Sequence, residues 1–535
     1  MNNRARTPLI IAISLIIGIV LGYYIIPSKE SKSTFVSSSK TALAQKFAYI
    51  MDLIEDDYVD EVDFDSISDN FILSFLQQLD PHSTYLTTSQ FKKEQESLDG
   101  GFEGIGVQYR IIDDTIAVIQ PVKGGPSQKA GIMAGDRIVT INDTLWAGKK
   151  IDNDDVMRLL KGEKGSKVKL GIKRQGISKL IPYVISRDII PTYSVDYFGM
   201  IDSKTGYIRL SQFSQTTSEE VNRALNDLLR RGMKQLVFDL RGNGGGYLEQ
   251  AYKVADEFLP VGDLIVYTKG RKRDRNDLFA TRGGMFEKGK LIILIDELSA
   301  SASEIVSGAM QDNDRAMIIG RRTFGKGLVQ EQKLLPDGSA VRITVSRYYT
   351  PSGRCIQRPY ITGNPDQYFE DFINRYATMS KGDKDTIAHP DSLKFKTKKG
   401  RFVYGGGGIE PDIELPYYNY KKSEFYSQIL RKGLLYKYCF DYVDKHRSLF
   451  KKYSDGDDFM KKFNIEQGMF DSMIEYANKN GVKQEAPKGR EKSEIMLLMK
   501  AYIAQSLYED KYYYSIFLKI DDDLQKALPY FGYIN

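Results

Sequence analysis

Between Leu9 and Ile26 no charged side chain interrupts the chain, a run long enough at about 1.5 Å per residue to cross a hydrocarbon core. Arg4 and Arg6 precede it, so the positive-inside rule leaves the amino end cytoplasmic and the remainder extracytoplasmic, in a periplasm or cell envelope. No A-x-A site follows, which favours an uncleaved signal anchor over residues 1–27. A polar spacer then spans residues 28–41, rich in Ser and Lys between Ser28 and Ser39. From there Phe47, Ile50, Met51, Ile54, Phe71 and Phe75 recur near helical spacing, predicting a helical unit over 42–98.

After Gly101 the period changes. Short β-like runs at Gly106–Ile111, Thr115–Gln120, Arg137–Asn142 and Lys167–Arg174, with one helix over Asn153–Leu160, predict a small β-rich domain over 99–190. From Gly206 strands and helices alternate, as in an α/β domain with a parallel or mixed sheet, expected over 191–415. Gly206–Leu210, Leu236–Leu240, Leu291–Ile295 and Ala316–Ile319 read as strands, and Ala302–Met310 as a helix. Thr217 and Glu220 have capping-box spacing ahead of a helix that Gly232 closes. Lys269–Arg275 reads as a solvated loop, with a lid as the alternative, Lys381–Arg401 as a charged loop, and 416–535, rich in Tyr and Lys, as a helical extension.

Composition narrows the function classes. A net charge of +6 among 76 basic and 70 acidic residues, without a basic reading motif, gives no support for nucleic acid as a partner. Two cysteines, Cys355 and Cys439, supply neither a disulfide framework nor metal spacing. With three histidines and no HExxH, a histidine-built zinc site and a Ser-His-Asp mechanism are both disfavoured.

The chemistry concentrates where a strand runs into Asp296-Glu-Leu-Ser-Ala-Ser301-Ala-Ser303-Glu304 and then a helix. A serine at a helix amino terminus meets free N–H groups and the positive dipole end, which suit a developing oxyanion, although serine there also serves as an ordinary cap. Phe324-Gly-Lys326-Gly-Leu-Val-Gln330 supplies a lysine in an apolar setting, where burial lowers the amine pKa towards that of a base. The same stretch approaches the phosphate-binding pattern G-x4-G-K-[ST], but Gly327 stands where the hydroxyl belongs and a strand-like run follows. Leu240-Arg-Gly-Asn-Gly-Gly-Gly246 is a glycine-rich turn able to point N–H groups inward.

In their order along the chain, glycine turn, serine motif and lysine motif, the three resemble the carboxy-terminal processing peptidases, also called tail-specific proteases. The resemblance extends over about 42–415, with further similar pieces at Leu79-Asp-Pro-His-Ser83, Tyr349-Thr-Pro-Ser-Gly-Arg354 and Gly408-Ile-Glu-Pro-Asp412. It implies a crotonase-like α/β serine protease core with Ser301 as nucleophile, Lys326 as general base and Gln330 holding that lysine. The oxyanion hole would be built from the amides of Ala302 and a glycine of the turn, Gly245 or Gly246. It also implies a PDZ domain, with Gly104, Ile105, Gly106 and Val107 as its carboxylate-binding loop and strand. Ala130-Gly-Ile-Met-Ala-Gly-Asp136 resembles the latter half of such a module.

The expectation is therefore an anchored serine endopeptidase that engages unfolded carboxy termini of extracytoplasmic proteins. It would form an acyl-enzyme, with no metal or organic cofactor called for. The competing class is an inert, membrane-tethered PDZ scaffold. The oligomeric state, a homo-oligomer included, is left open by the sequence.

Overall fold

The computed structural model describes residues 38–380, 390–417 and 422–534. The expected anchor over 1–27 and the spacer up to residue 37 lie outside these residues. Among the described residues no helix is long and apolar enough to cross a membrane. The chain divides into two compact units, one ending at Phe71 and the other beginning at Ile72. In the first, helix α1 (Ser38–Asp57) meets the start of α2 (Phe64–Gln77), and the Phe47 ring sets edge-on to Phe71 at 5.0 Å.

The second unit takes in the end of α2 from Ile72, then β1 (Thr84–Leu86) and α3 (Thr88–Leu98), a helix begun by a Thr87–Gln90 capping box. The helical stretch expected over 42–98 is thus divided between the units, because β1 pairs with a strand of the core at Ala340–Arg342. Next come β2 (Val107–Ile112), β3 (Thr115–Pro121), β4 (Arg137–Ile141), α4 (Asn153–Leu160), β5 (Lys167–Lys173) and β6 (Ile181–Ser186). They form one sheet in the order β2-β3-β4-β5-β6, with Ile105, Ile116, Val118, Ile138, Val156 and Leu160 in its core. β2 is therefore an edge strand.

The α/β core follows as β7 (Val195–Met200), β8 (Thr205–Leu210), α5 (Thr217–Arg230), β9 (Gln235–Asp239) and α6 (Leu248–Asp256). Then come a hairpin of β10 (Leu264–Gly270) and β11 (Arg273–Phe279), β12 (Lys290–Ile295), α7 (Ala302–Asp312), β13 (Met317–Gly320), β14 (Leu328–Leu334), β15 (Ala340–Tyr349), α8 (Pro365–Ser380) and β16 (Ile413–Glu414). The central sheet runs β7-β8-β9-β12-β13-β16, parallel from β8 onward. A second sheet joins β1, β15, β10 and β11, with β14 on β15.

Two local expectations are corrected. Lys269–Arg275 is not a solvated loop but belongs to the β10–β11 hairpin, whose side chains find partners across strands: Arg275 covers the Tyr267 ring at 3.8 Å and Arg273 pairs with Glu331 at 2.6 Å. At α5 the cap is Thr216 without a side-chain cap bond, and the Glu220 carboxylate instead accepts from the Ser194 and Val195 amides, both at 2.9 Å.

Strands apolar on both faces need two covers. On one face of β9 and β12, Leu236, Phe238, Leu291 and Ile293 pack against helices that include α5, α6 and α7. On the other, Val237, Ile292 and Leu294 pack against Leu518, Leu524 and Phe531 of the carboxy-terminal extension. That extension has its own core and includes α9 (Leu434–Lys445), α10 (Gly489–Leu507), α11 (Asp510–Ile520) and α12 (Asp522–Ala527). Tyr436 and Phe440 of α9 also pack on Ile112, Ala117 and Ile119 of the small β domain.

Candidate active site

β9, β12 and β13 are adjacent parallel strands, so their carboxyl ends lie side by side, and the three motif loops leave from there. Ser301 stands at the entry to α7 with φ 54° and ψ −110°, a left-handed value that a non-glycine residue holds only under constraint from its surroundings. The constraint is Glu304. Its fully buried carboxylate accepts from the Ser301 amide at 2.7 Å and the Lys326 amide at 2.9 Å through Oε2, and from Thr323 Oγ1 at 2.6 Å and Gly325 N at 2.7 Å through Oε1. Tyr348 Oη faces the opposite groups, donating towards the Lys326 carbonyl and lying 3.2 Å from that of Ser301. Sequence reading assigned neither residue a role. The Ser301-x-x-Glu304 capping spacing was the signal available for the first; the second carries none.

Ser301, Lys326, Leu328, Gln330 and Tyr348 line one cavity of about 270 Å³, together with Gly244, Gly246, Glu94 and Arg342. Burial, reinforced by the positive charge of Arg342, lowers the Lys326 amine to about 8. Burial likewise pushes the Glu304 carboxyl up to about 7, against the donors that favour its charged form. His82 lies close enough to feel the Lys326 charge and, mainly through burial, falls to about 3, so it is neutral near pH 7.

Among the described residues no hydrogen bond joins Ser301 to the Lys326 amine; the two share the cavity rather than a bond. Gln330 also lies there, but its Nε2 donates to the His82 carbonyl at 2.6 Å instead of engaging Lys326. That carbonyl is fixed by a turn in which Asp80 Oδ1 accepts from the His82 and Ser83 amides, both at 2.9 Å. In the glycine turn the Gly245 amide donates to Asn243 Oδ1 at 2.9 Å and is thereby occupied. The amides of Gly246 and Ala302 make no hydrogen bond among the described residues. Gly246 has φ 145°, and a Cβ on it would stand 2.1 Å from the Phe213 carbonyl oxygen.

Residues 204–368 match peptidase family S41 and 104–181 match the PDZ domain. The carboxy-terminal processing protease CtpA of Bacillus subtilis is 31% identical over 392 residues, covering 72% of this chain and 83% of its own. The chain belongs to the carboxy-terminal processing proteases of family S41. It is thus a serine protease with a PDZ domain, and an inert scaffold is not favoured. The carboxy-terminal-processing protease of Bartonella bacilliformis is 36% identical over 357 residues, 65% of this chain and 81% of its own. The solved photosystem II D1 C-terminal processing protease is 25% identical, covers 71% of this chain and 89% of its own, and has a TM-score of 0.36. Residues 425–509 match a family of unknown function.

In the PDZ domain of this protease, Gly104, Ile105 and Gly106 form the turn between the strand Gly101–Gly104 and edge strand β2, which begins at Val107. Ile105 is buried, with its carbonyl accepting from Ser127 N at 3.0 Å and Ser127 Oγ at 2.6 Å. The Ile105 and Gly106 amides make no hydrogen bond among the described residues.

Proposed function

We propose that this serine protease is an endopeptidase in which Ser301 attacks the scissile carbonyl and Lys326 is the general base. The observation that carries the reading is the meeting of a strained serine at a helix start and a desolvated lysine in one cavity, with both backbones fastened to a single carboxylate. Neutral Lys326 takes the Ser301 proton as Oγ bonds to the carbonyl carbon. The resulting oxyanion is received by the Ala302 and Gly246 amides, the acyl-enzyme forms as the amine leaves with a proton from Lys326, and water releases it. Gln330 aligns the lysine once a substrate closes the cavity.

Protein carboxy termini bind at Gly104–Val107, where free amides receive the terminal carboxylate and the edge of β2 adds the peptide as a further strand. The substrates are unfolded tails of extracytoplasmic proteins, reached by an enzyme anchored through its amino-terminal run.

Ser301→Ala and Lys326→Ala are the test. Each is expected to abolish cleavage of an unstructured peptide without moving the thermal midpoint by more than a few degrees, and a fluorophosphonate is expected to label the wild type at Ser301 alone. Normal turnover by either variant would refute the assignment.

A further inference from the structure

Arg241 opens the glycine turn and Arg321 precedes Lys326 in its loop, and both guanidinium groups are nearly buried. Both are held by one short stretch of the carboxy-terminal extension. Asp521 takes Arg241 Nη1 through Oδ1 at 3.0 Å and Nη2 through Oδ2 at 2.6 Å, while Asp239 at the end of β9 takes Arg241 Nε at 2.9 Å. Asp523 Oδ2 accepts from Arg321 Nη1 at 2.8 Å and lies 3.5 Å from Arg241 Nη1, so it touches both arginines.

The network continues into the serine loop. Arg321 Nε donates to Glu297 Oε2 at 2.8 Å, and the adjacent Asp296 accepts from the Gly242 amide at 2.9 Å. Three loops therefore meet on one buried set of charges. Asp521 is aimed by its role as the cap of α12, accepting from Leu524 N at 3.1 Å, and Leu524 and Ala527 seat that helix on the central sheet.

We propose that Asp521 and Asp523 are positioning residues for catalysis: through Arg241 and Arg321 the extension holds the glycine turn and the lysine loop in register with Ser301. The inference rests on the nucleophile and base assigned above. Removing one partner from a buried ion network leaves unpaired charge that must move towards water, and a displacement of about 1 Å in a catalytic loop can cost on the order of a hundredfold in rate. Asp522, between the two, turns elsewhere, pairing with Arg490 and, at 3.8 Å, with Lys422. It is a built-in control of equal charge on the same helix.

The test uses the full chain with Asp521→Asn, Asp522→Asn, Asp523→Asn, Asp523→Glu and Ser301→Ala, comparing kcat, KM and thermal midpoint on a fluorogenic, unstructured peptide with a free carboxy terminus. Asp521→Asn and Asp523→Asn are expected to lower kcat at least about tenfold with KM little changed, Asp523→Glu to recover part of the loss, and Asp522→Asn to keep the wild-type kcat. Wild-type kcat in both Asn variants would overturn the proposal, as would an equal loss in Asp522→Asn or a loss no larger than the unfolded fraction accounts for. If these failures came with Ser301→Ala inactive, they would sink this inference alone; an active Ser301→Ala would sink the nucleophile assignment and this inference with it.

Discussion

A carboxylate sealed from water with four donors converging on it, as at Glu304, has almost no freedom to turn. It can hold the Ser301 backbone in a left-handed conformation and keep the Lys326 backbone beside it. Glu304→Gln preserves shape but replaces one acceptor oxygen with a donor that must face an N–H or O–H. The expected result is a loss of about 1–3 kcal/mol in thermal unfolding and at least about a hundredfold in kcat; unaltered kinetics would remove Glu304 from the account. Residue roles were unevenly legible. Ser301, Lys326 and the glycine turn stand in motifs that read without a fold. Tyr348 acts through its distance from two carbonyls, and Gln330 proved to be directed at His82, which lies 248 positions away.

At the scale of elements, the strand ends set how closely the loops approach. Gly246 lies against Phe213 in a bridge beside β8, where its φ of 145° and the 2.1 Å separation of a Cβ from the Phe213 carbonyl leave no room for a side chain. Gly244 has no neighbour within 4 Å of a Cβ and no positive φ. Gly246→Ala is therefore expected to lower the thermal midpoint by several degrees and abolish turnover, and Gly244→Ala to leave the midpoint near wild type. Differential scanning calorimetry of the pair checks this, and equal midpoints would contradict it. The buried strands were readable because Leu236–Phe238 and Leu291–Ile295 are apolar without interruption. The β10–β11 hairpin was not, because its charges are neutralised by partners on other strands, as Arg273 is by Glu331. At α5, Thr217 and Glu220 carried the local pattern of a cap, but amides at 194 and 195 claimed the carboxylate.

For the whole molecule, the extension is a structural layer rather than an appendage. It closes the second face of the central sheet and contacts the PDZ domain, where Arg110 stacks on Tyr436 at 3.8 Å and Arg137 lies 3.7 Å from Asp444. Its helical period was visible in the sequence, but which face of the protein it would cover was not, since that depends on strands more than two hundred residues earlier. What the assembled protein achieves around Lys326 is a desolvated amine lowered to about 8. Below that value the amine is protonated and cannot accept the Ser301 proton, so reactivity should rise about tenfold per pH unit up to about 8 and then level off. The most direct measurement is the rate of Ser301 phosphonylation against pH, followed by intact-protein mass spectrometry in the wild type and in Lys326→Ala. The account predicts a rising limb with its midpoint near 8 in the wild type and no such limb in the variant; a flat wild-type profile from pH 5 to 9, or the same limb without the lysine, would contradict it.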